Sequence, residues 1–200
     1  MKEAIEHLKR ADPVLSAIID RVGEYRIEFR SPDFETLVKS IIYQQLSGRV
    51  ASVIFARLAK AAGGKITPAT VLKLRPSRMR TLGLSGQKTA YIRDLARHTR
   101  EGKVAFDHLA GLTAQQVIEQ LTQVKGVGPW TVHMFLIFAL RRNDVLPTGD
   151  LGIRNAIRKA YGLAELPLPV EVEALAERWR PYCTVASWYL WRSLEPNANL

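Results

Sequence analysis

Proline falls repeatedly where a helix would begin, and almost no stretch alternates as a half-buried strand would, so this chain is confined to a helical architecture. Asp12-Pro13 places a capping acid before a first-turn proline and opens a helix through Ile18 and Ile19. Ser31-Pro32-Asp33 repeats the signal ahead of Phe34, Leu37, Val38, Ile41 and Ile42, which share one face at helical spacing. That helix ends near Gln44–Ser47. A second apolar helix runs from Arg49 to Ala62 and closes on Gly63-Gly64. Thr67-Pro68 and Arg75-Pro76 open two short helices, Ser85 to Arg100 forms a longer basic one, and Thr113 caps another through Val117, Ile118 and Leu121. Asp150 to Tyr161, Pro169 to Arg180 and Tyr182 to Leu194 complete the set. Tyr25 to Phe29 alternates and reads as a short extended piece. The expected fold is all-α.

A chain of 200 residues buries roughly 70% of the surface it exposes when unfolded, so it needs neither metal nor disulfide for stability. Its single cysteine, Cys183, excludes an internal disulfide and a four-cysteine zinc or iron-sulfur site, and a lone thiol suits a reducing interior. The opening Met1-Lys2-Glu3-Ala4-Ile5-Glu6 carries acids where a signal peptide is basic and then apolar. The most apolar stretch, Trp130 to Leu140, is too short to cross a bilayer. The expected compartment is the cytoplasm, with no membrane association.

Charge is concentrated in one segment. Arg57 to Arg100 holds eleven Lys or Arg against one acid, Asp94, for +10, and the remaining 18 basic and 18 acidic residues cancel. Such a field raises the local concentration of polyanions, which makes nucleic acid the leading partner class beside a merely solvated basic face.

Between Leu121 and Thr131 one helix gives way to another through Lys125-Gly126-Val127-Gly128-Pro129-Trp130. Two glycines around a valine make a tight turn, and Pro129 takes a first helical position. The turn aims backbone N–H groups and the positive end of the next helix at one outside point, where a DNA phosphate fits. Val127 anchors the turn in the protein.

The segment resembles the helix-hairpin-helix motif. About twenty residues on comes Leu146-Pro147-Thr148-Gly149-Asp150-Leu151-Gly152, the Gly/Pro-rich loop and aspartate of the helix-hairpin-helix DNA glycosylase superfamily. With Ile41-Ile42-Tyr43-Gln44-Gln45-Leu46-Ser47, Leu82-Gly83-Leu84 and the tryptophan-rich C-terminal segments, residues 12 to 195 are similar to the 3-methyladenine DNA glycosylase type, in a short form without the N-terminal β domain. The resemblance implies two helical subdomains with the active-site cleft between them, one at about 45–140 carrying the hairpin, the other at about 1–44 plus 141–200. It further implies a monomer acting on double-stranded DNA with alkylated bases.

Excision breaks the bond between a purine N9 and deoxyribose C1′ through a sugar of oxocarbenium character, which a carboxylate stabilises. The family's catalytic aspartate falls on Asp150, which also suits an N-cap. A flipped alkylated purine is cationic, so aromatic walls attract it by about 0.5 to 2 kcal/mol per contact. Trp130 and Trp191 match the family's pocket tryptophans, and Met134 stands where larger bacterial members carry a tyrosine. Tyr43, Trp188 and Tyr189 are further candidates, although core packing is preferred for Trp188 as for Trp179. The family's wedge into the emptied stack aligns with Gly86, which has no side chain to insert, leaving Leu84, Ser85 or the Gln45-Leu46-Ser47 segment. Gly126, Val127, Gly128, Lys125, Gln87, Lys88 and Arg93 are expected at phosphates. Strand-nicking relatives put a lysine nucleophile where this chain has Trp130, so a monofunctional enzyme is expected. No cofactor is expected beyond a structural Na⁺ or K⁺ at the carbonyls of Thr122, Val124 and Val127, again from the resemblance. The competing readings are a DNA-binding module without catalysis and a glycosylase for deaminated or mismatched bases.

Overall fold

A computed structural model describes residues 1–195. In chain order these form α1 (Lys2–Ala11), α2 (Pro13–Val22), α3 (Phe34–Tyr43), α4 (Gly48–Ala61), α5 (Pro68–Lys73), α6 (Pro76–Thr81) and α7 (Gly86–Arg100). There follow α8 (Ala114–Thr122), α9 (Pro129–Phe138), α10 (Leu151–Ala160), α11 (Pro169–Ala176) and α12 (Cys183–Arg192), with 3-10 turns at Leu109–Gly111 and Glu177–Trp179. Among the described residues there is no strand, and no helix is long and apolar enough to cross a membrane. Tyr25 to Phe29 joins neither a helix nor a ladder.

The chain divides into two compact units, residues 30–135 and residues 1–29 with the chain from Leu136 onward. The division expected near residue 44 is displaced to 29/30, so α3 belongs with the hairpin. Its buried face, Leu37, Val38, Ile41 and Ile42, explains why, since α3 packs against α4 and α7 of the same unit. Its start also differs from the expected one. Asp33, not Ser31, is the N-cap, and its carboxylate accepts the Thr36 N–H at 2.8 Å.

In the 30–135 unit, α7 is the central element, with α3, α5 and α6 against it. Ile92, Leu95 and Ala96 of α7 are fully buried, as are Leu58, Val71, Met79, Val117 and Leu121 of the surrounding helices. Phe34, Phe106 and Phe135 meet edge to face. Thr67 and Thr113 close capping boxes with Thr70 and Gln116, satisfying the first N–H groups of α5 and α8.

The other unit is built around α12, of which every residue from Cys183 to Leu190 is buried, with α2 and α10 packed on it. Leu8, Leu15, Ile18, Ile153, Ile157, Val172 and Trp179 complete this core. Asp12, buried where α1 meets α2, accepts the N–H groups of Val14 and Leu15, the Trp179 indole N–H at 2.8 Å and the Tyr161 hydroxyl at 2.5 Å. Burial pushes its carboxyl up, but these four donors outweigh it and the group lies below the usual aspartate value. Helix α1, which no cap-and-proline signal announces, contributes Ala4 and Leu8 one turn apart.

Candidate active site

The hairpin between α8 and α9 is held by three side chains of its own unit. Gly126 has φ of +80°, and a Cβ there would lie 2.0 Å from Cδ2 of Tyr91, so conformation and space both demand glycine. The Lys125 N–H donates to Asp94 Oδ2 at 3.0 Å, and Gln44 Nε2 donates to the Gly126 carbonyl at 3.0 Å and to Thr131 Oγ1 at 3.3 Å. The only acid of the basic segment is therefore an anchor of the hairpin. Val127 is buried, as its apolar character suggests, while Gly128, Pro129 and Trp130 are exposed. A Cβ on Gly128 would meet nothing within 4 Å, so the turn is uncrowded on that side.

In the other unit Asp150 caps α10. Its Oδ1 accepts the Ile153 N–H at 2.8 Å and the Trp191 indole N–H at 2.9 Å, so α10 and α12 together fix the carboxylate. Phe138, absent from the expected site, stacks on Trp191 with centroids 6.1 Å apart and planes 24° from parallel. Its signal was spacing, for Trp130, Met134 and Phe138 follow at intervals of four along α9. Trp130 is 49% exposed and Met134 half-buried.

Two further aromatic candidates belong to the core instead. Tyr189 is fully buried and its hydroxyl donates to the Gly23 carbonyl at 2.9 Å. Trp188 is buried with Tyr25 and Tyr189 edge to face against it. Tyr43 is half-buried at the end of α3, with the Lys39 ammonium 5.6 Å from its ring centre.

The basic segment separates into two groups. Nine of its eleven cations are exposed, but Lys88 and Arg93 turn inward. Lys88 Nζ donates to the carbonyls of Ile42 at 2.7 Å and Gln44 at 2.6 Å, and burial holds its ammonium below the ordinary lysine value. Arg93 donates to the carbonyls of Leu74 at 2.7 Å and Val71 at 3.4 Å. These carbonyls close α3 and α5, where helix ends lack intrahelical donors, so both cations serve as caps within the fold. Lys88→Met should lower unfolding stability by about 1 to 3 kcal/mol in urea while leaving the salt dependence of DNA binding unchanged. A shallower salt slope would return Lys88 to the interface.

Of the wedge candidates, Leu84 is buried and Ser85 caps α7 through Lys88 N–H at 3.1 Å. Gly86 opens α7, and exposed Gln87 donates to the Tyr91 hydroxyl at 2.6 Å. Gln45 takes a left-handed φ of 54° beside Leu46, which is 38% exposed, and Ser47 caps α4. This tight turn is the one segment of the expected set that presents a large apolar side chain outward.

A helical chain with a glycine hairpin before one helix and a fixed aspartate capping the next defines a base-excision architecture, and residues 38–181 match the model of the HhH-GPD superfamily of base excision DNA repair proteins, to which this chain belongs. It is 35% identical over 194 residues to DNA-3-methyladenine glycosylase 1 of Schizosaccharomyces pombe, covering 94% of this chain and 85% of that one. A structure of the S. pombe 3-methyladenine DNA glycosylase in complex with abasic DNA superimposes with a TM-score of 0.84 over 95% of each chain, at 34% identity. The DNA-3-methyladenine glycosidase of Bacillus halodurans gives a TM-score of 0.87 at 36% identity, covering 94% of this chain and 88% of its own.

Proposed function

We propose that this protein is a monofunctional DNA glycosylase that removes alkylated bases such as 3-methyladenine and 7-methylguanine from double-stranded DNA, acting as a monomer. The observation that carries the reading is Asp150, a carboxylate at the head of α10 that accepts the N–H groups of Ile153 and Trp191. As the N9–C1′ bond breaks, its electron pair leaves with the base, and a cationic purine departs neutral. The Asp150 carboxylate opposes the positive charge left on the sugar; water then adds to C1′ and gives up a proton, leaving an abasic site. Trp130 and Met134 of α9 supply the wall that the flipped base meets, with the exposed indole attracting a cationic ring. The N-terminus of α9 at Gly128 takes a backbone phosphate, and the nine exposed cations supply the long-range field.

The carbonyls of Thr122, Val124 and Val127 suit a Na⁺ or K⁺. Thr122 closes α8, where helix carbonyls lack intrahelical donors, and the Val124 carbonyl, which accepts the Val127 N–H at 3.1 Å, keeps a second lone pair. Such an ion would rigidify the turn and supply no chemistry to the reaction.

The test is incubation with duplex oligonucleotides carrying one alkylated base each, followed by hot alkali. Cleavage is expected only after alkali, and borohydride should trap no covalent complex, because Trp130 occupies the position at which strand-nicking relatives carry a lysine. A trapped adduct would show that a lysine attacks C1′, and absence of any excision would leave a DNA-binding module.

A further inference from the structure

We propose that Trp191 acts on the reaction through Asp150, as a positioning residue, and not as a wall for the flipped base. The inference rests on the reading of Asp150 as the carboxylate that opposes the sugar. An indole has one hydrogen-bond donor, and Trp191 commits it to Asp150 Oδ1 at 2.9 Å. The same oxygen accepts the Ile153 N–H, so a donor from α12 and one from α10 converge on this oxygen. One face of the indole is occupied by Phe138. Its edge lies over the first turn of α10, where a Cβ on Gly152 would come within 3.1 Å of Trp191 Cδ1 and 2.9 Å of Asp150 Oδ1. Glycine at 152 is therefore what lets indole and carboxylate meet. Trp130, by contrast, is half exposed at the start of α9 and has surface to offer a base.

The two roles predict different patterns of damage. A wall needs an aromatic face, which phenylalanine keeps and alanine loses. A positioning donor is lost in both.

The measurement is single-turnover excision of 7-methylguanine at saturating enzyme, with duplex affinity measured in parallel. Trp191→Phe is expected to lower the excision rate constant by about ten- to a hundredfold, the scale of a lost hydrogen bond to a charged group, with the dissociation constant unchanged. Trp191→Ala should be no more than a few-fold slower than Trp191→Phe. Gly152→Ala should give the same pattern, a slower chemical step at unchanged affinity, by forcing the carboxylate and the indole apart. Thermal melting reports whether each variant is folded, and Gly152→Ala decides the matter if the Trp191 variants are not. Wild-type rates in Trp191→Phe or in Gly152→Ala would overturn the proposal, as would a Trp191→Phe loss appearing only in the dissociation constant. Asp150→Asn separates the two levels of inference. If it retains full activity, the reading of Asp150 fails; if it is inactive while Trp191→Phe is normal, only the positioning role fails.

Discussion

Asp150→Asn is expected to fold, bind duplex DNA with unchanged affinity and lose excision by roughly a hundred- to a thousandfold, the scale of removing one preorganised electrostatic contact from a transition state. Asparagine caps helices as well as aspartate does. Its side-chain oxygen can still accept the N–H groups of Ile153 and Trp191, so α10 and α12 should keep their relation and the melting temperature should stay within a degree or two. What disappears is the negative charge, which in the proposed reaction opposes the charged sugar of the transition state. Single-turnover excision of 7-methylguanine, with binding and melting curves alongside, checks all three expectations. Turnover within a few-fold of the wild-type value would remove Asp150 from the mechanism.

Gly126→Ala should be the most damaging single substitution in the hairpin. A left-handed backbone costs an L-residue about 1 to 2 kcal/mol, and forcing a methyl into the Tyr91 ring adds an overpacking penalty of about 1 to 3 kcal/mol. For a chain of this size the sum corresponds to a fall in melting temperature of roughly 5 to 15 °C. DNA affinity should drop with it, because the hairpin must move to relieve the contact. Tyr91→Ala, by emptying the space, should reduce the further cost of Gly126→Ala to its backbone part. An equal cost in both backgrounds would mean that the ring is not what the glycine accommodates.

How much of this was legible in the residues depended on the range of the interaction. Caps and periods are local, so α2, α4, α5, α7, α8, α10 and α12 lie where their caps and apolar spacing put them. At α3 two acceptors, Ser31 and Asp33, compete within three residues, and only the backbone decides for the second. Helix α1 has neither a side-chain cap nor a first-turn proline, so its start carries neither of the signals that announce α2. The site divides in the same way. The glycine turn at Gly126 and the N-cap at Asp150 were recognisable because turns and caps are written in consecutive residues. The direction of Lys88 was not, since its acceptors Ile42 and Gln44 lie 46 and 44 residues away and a basic residue looks the same whether it faces a phosphate or a helix end. Tyr189 was misplaced for a related reason, because its partner Gly23 is 166 residues distant. The pairing of Trp191 with Asp150, 41 residues apart, was equally invisible, although both residues were singled out.

Tyr91 and Asp94 sit one turn apart on α7, and both reach the hairpin. The loop proposed to meet a phosphate is thus mounted on the same helix that ends the basic segment, which ties the position of one to the other. A survey of random variants selected only for weakened DNA capture should therefore return positions 91 and 94 beside the exposed arginines, although one is a phenol ring turned under a glycine and the other an acid whose charge, taken alone, repels the ligand.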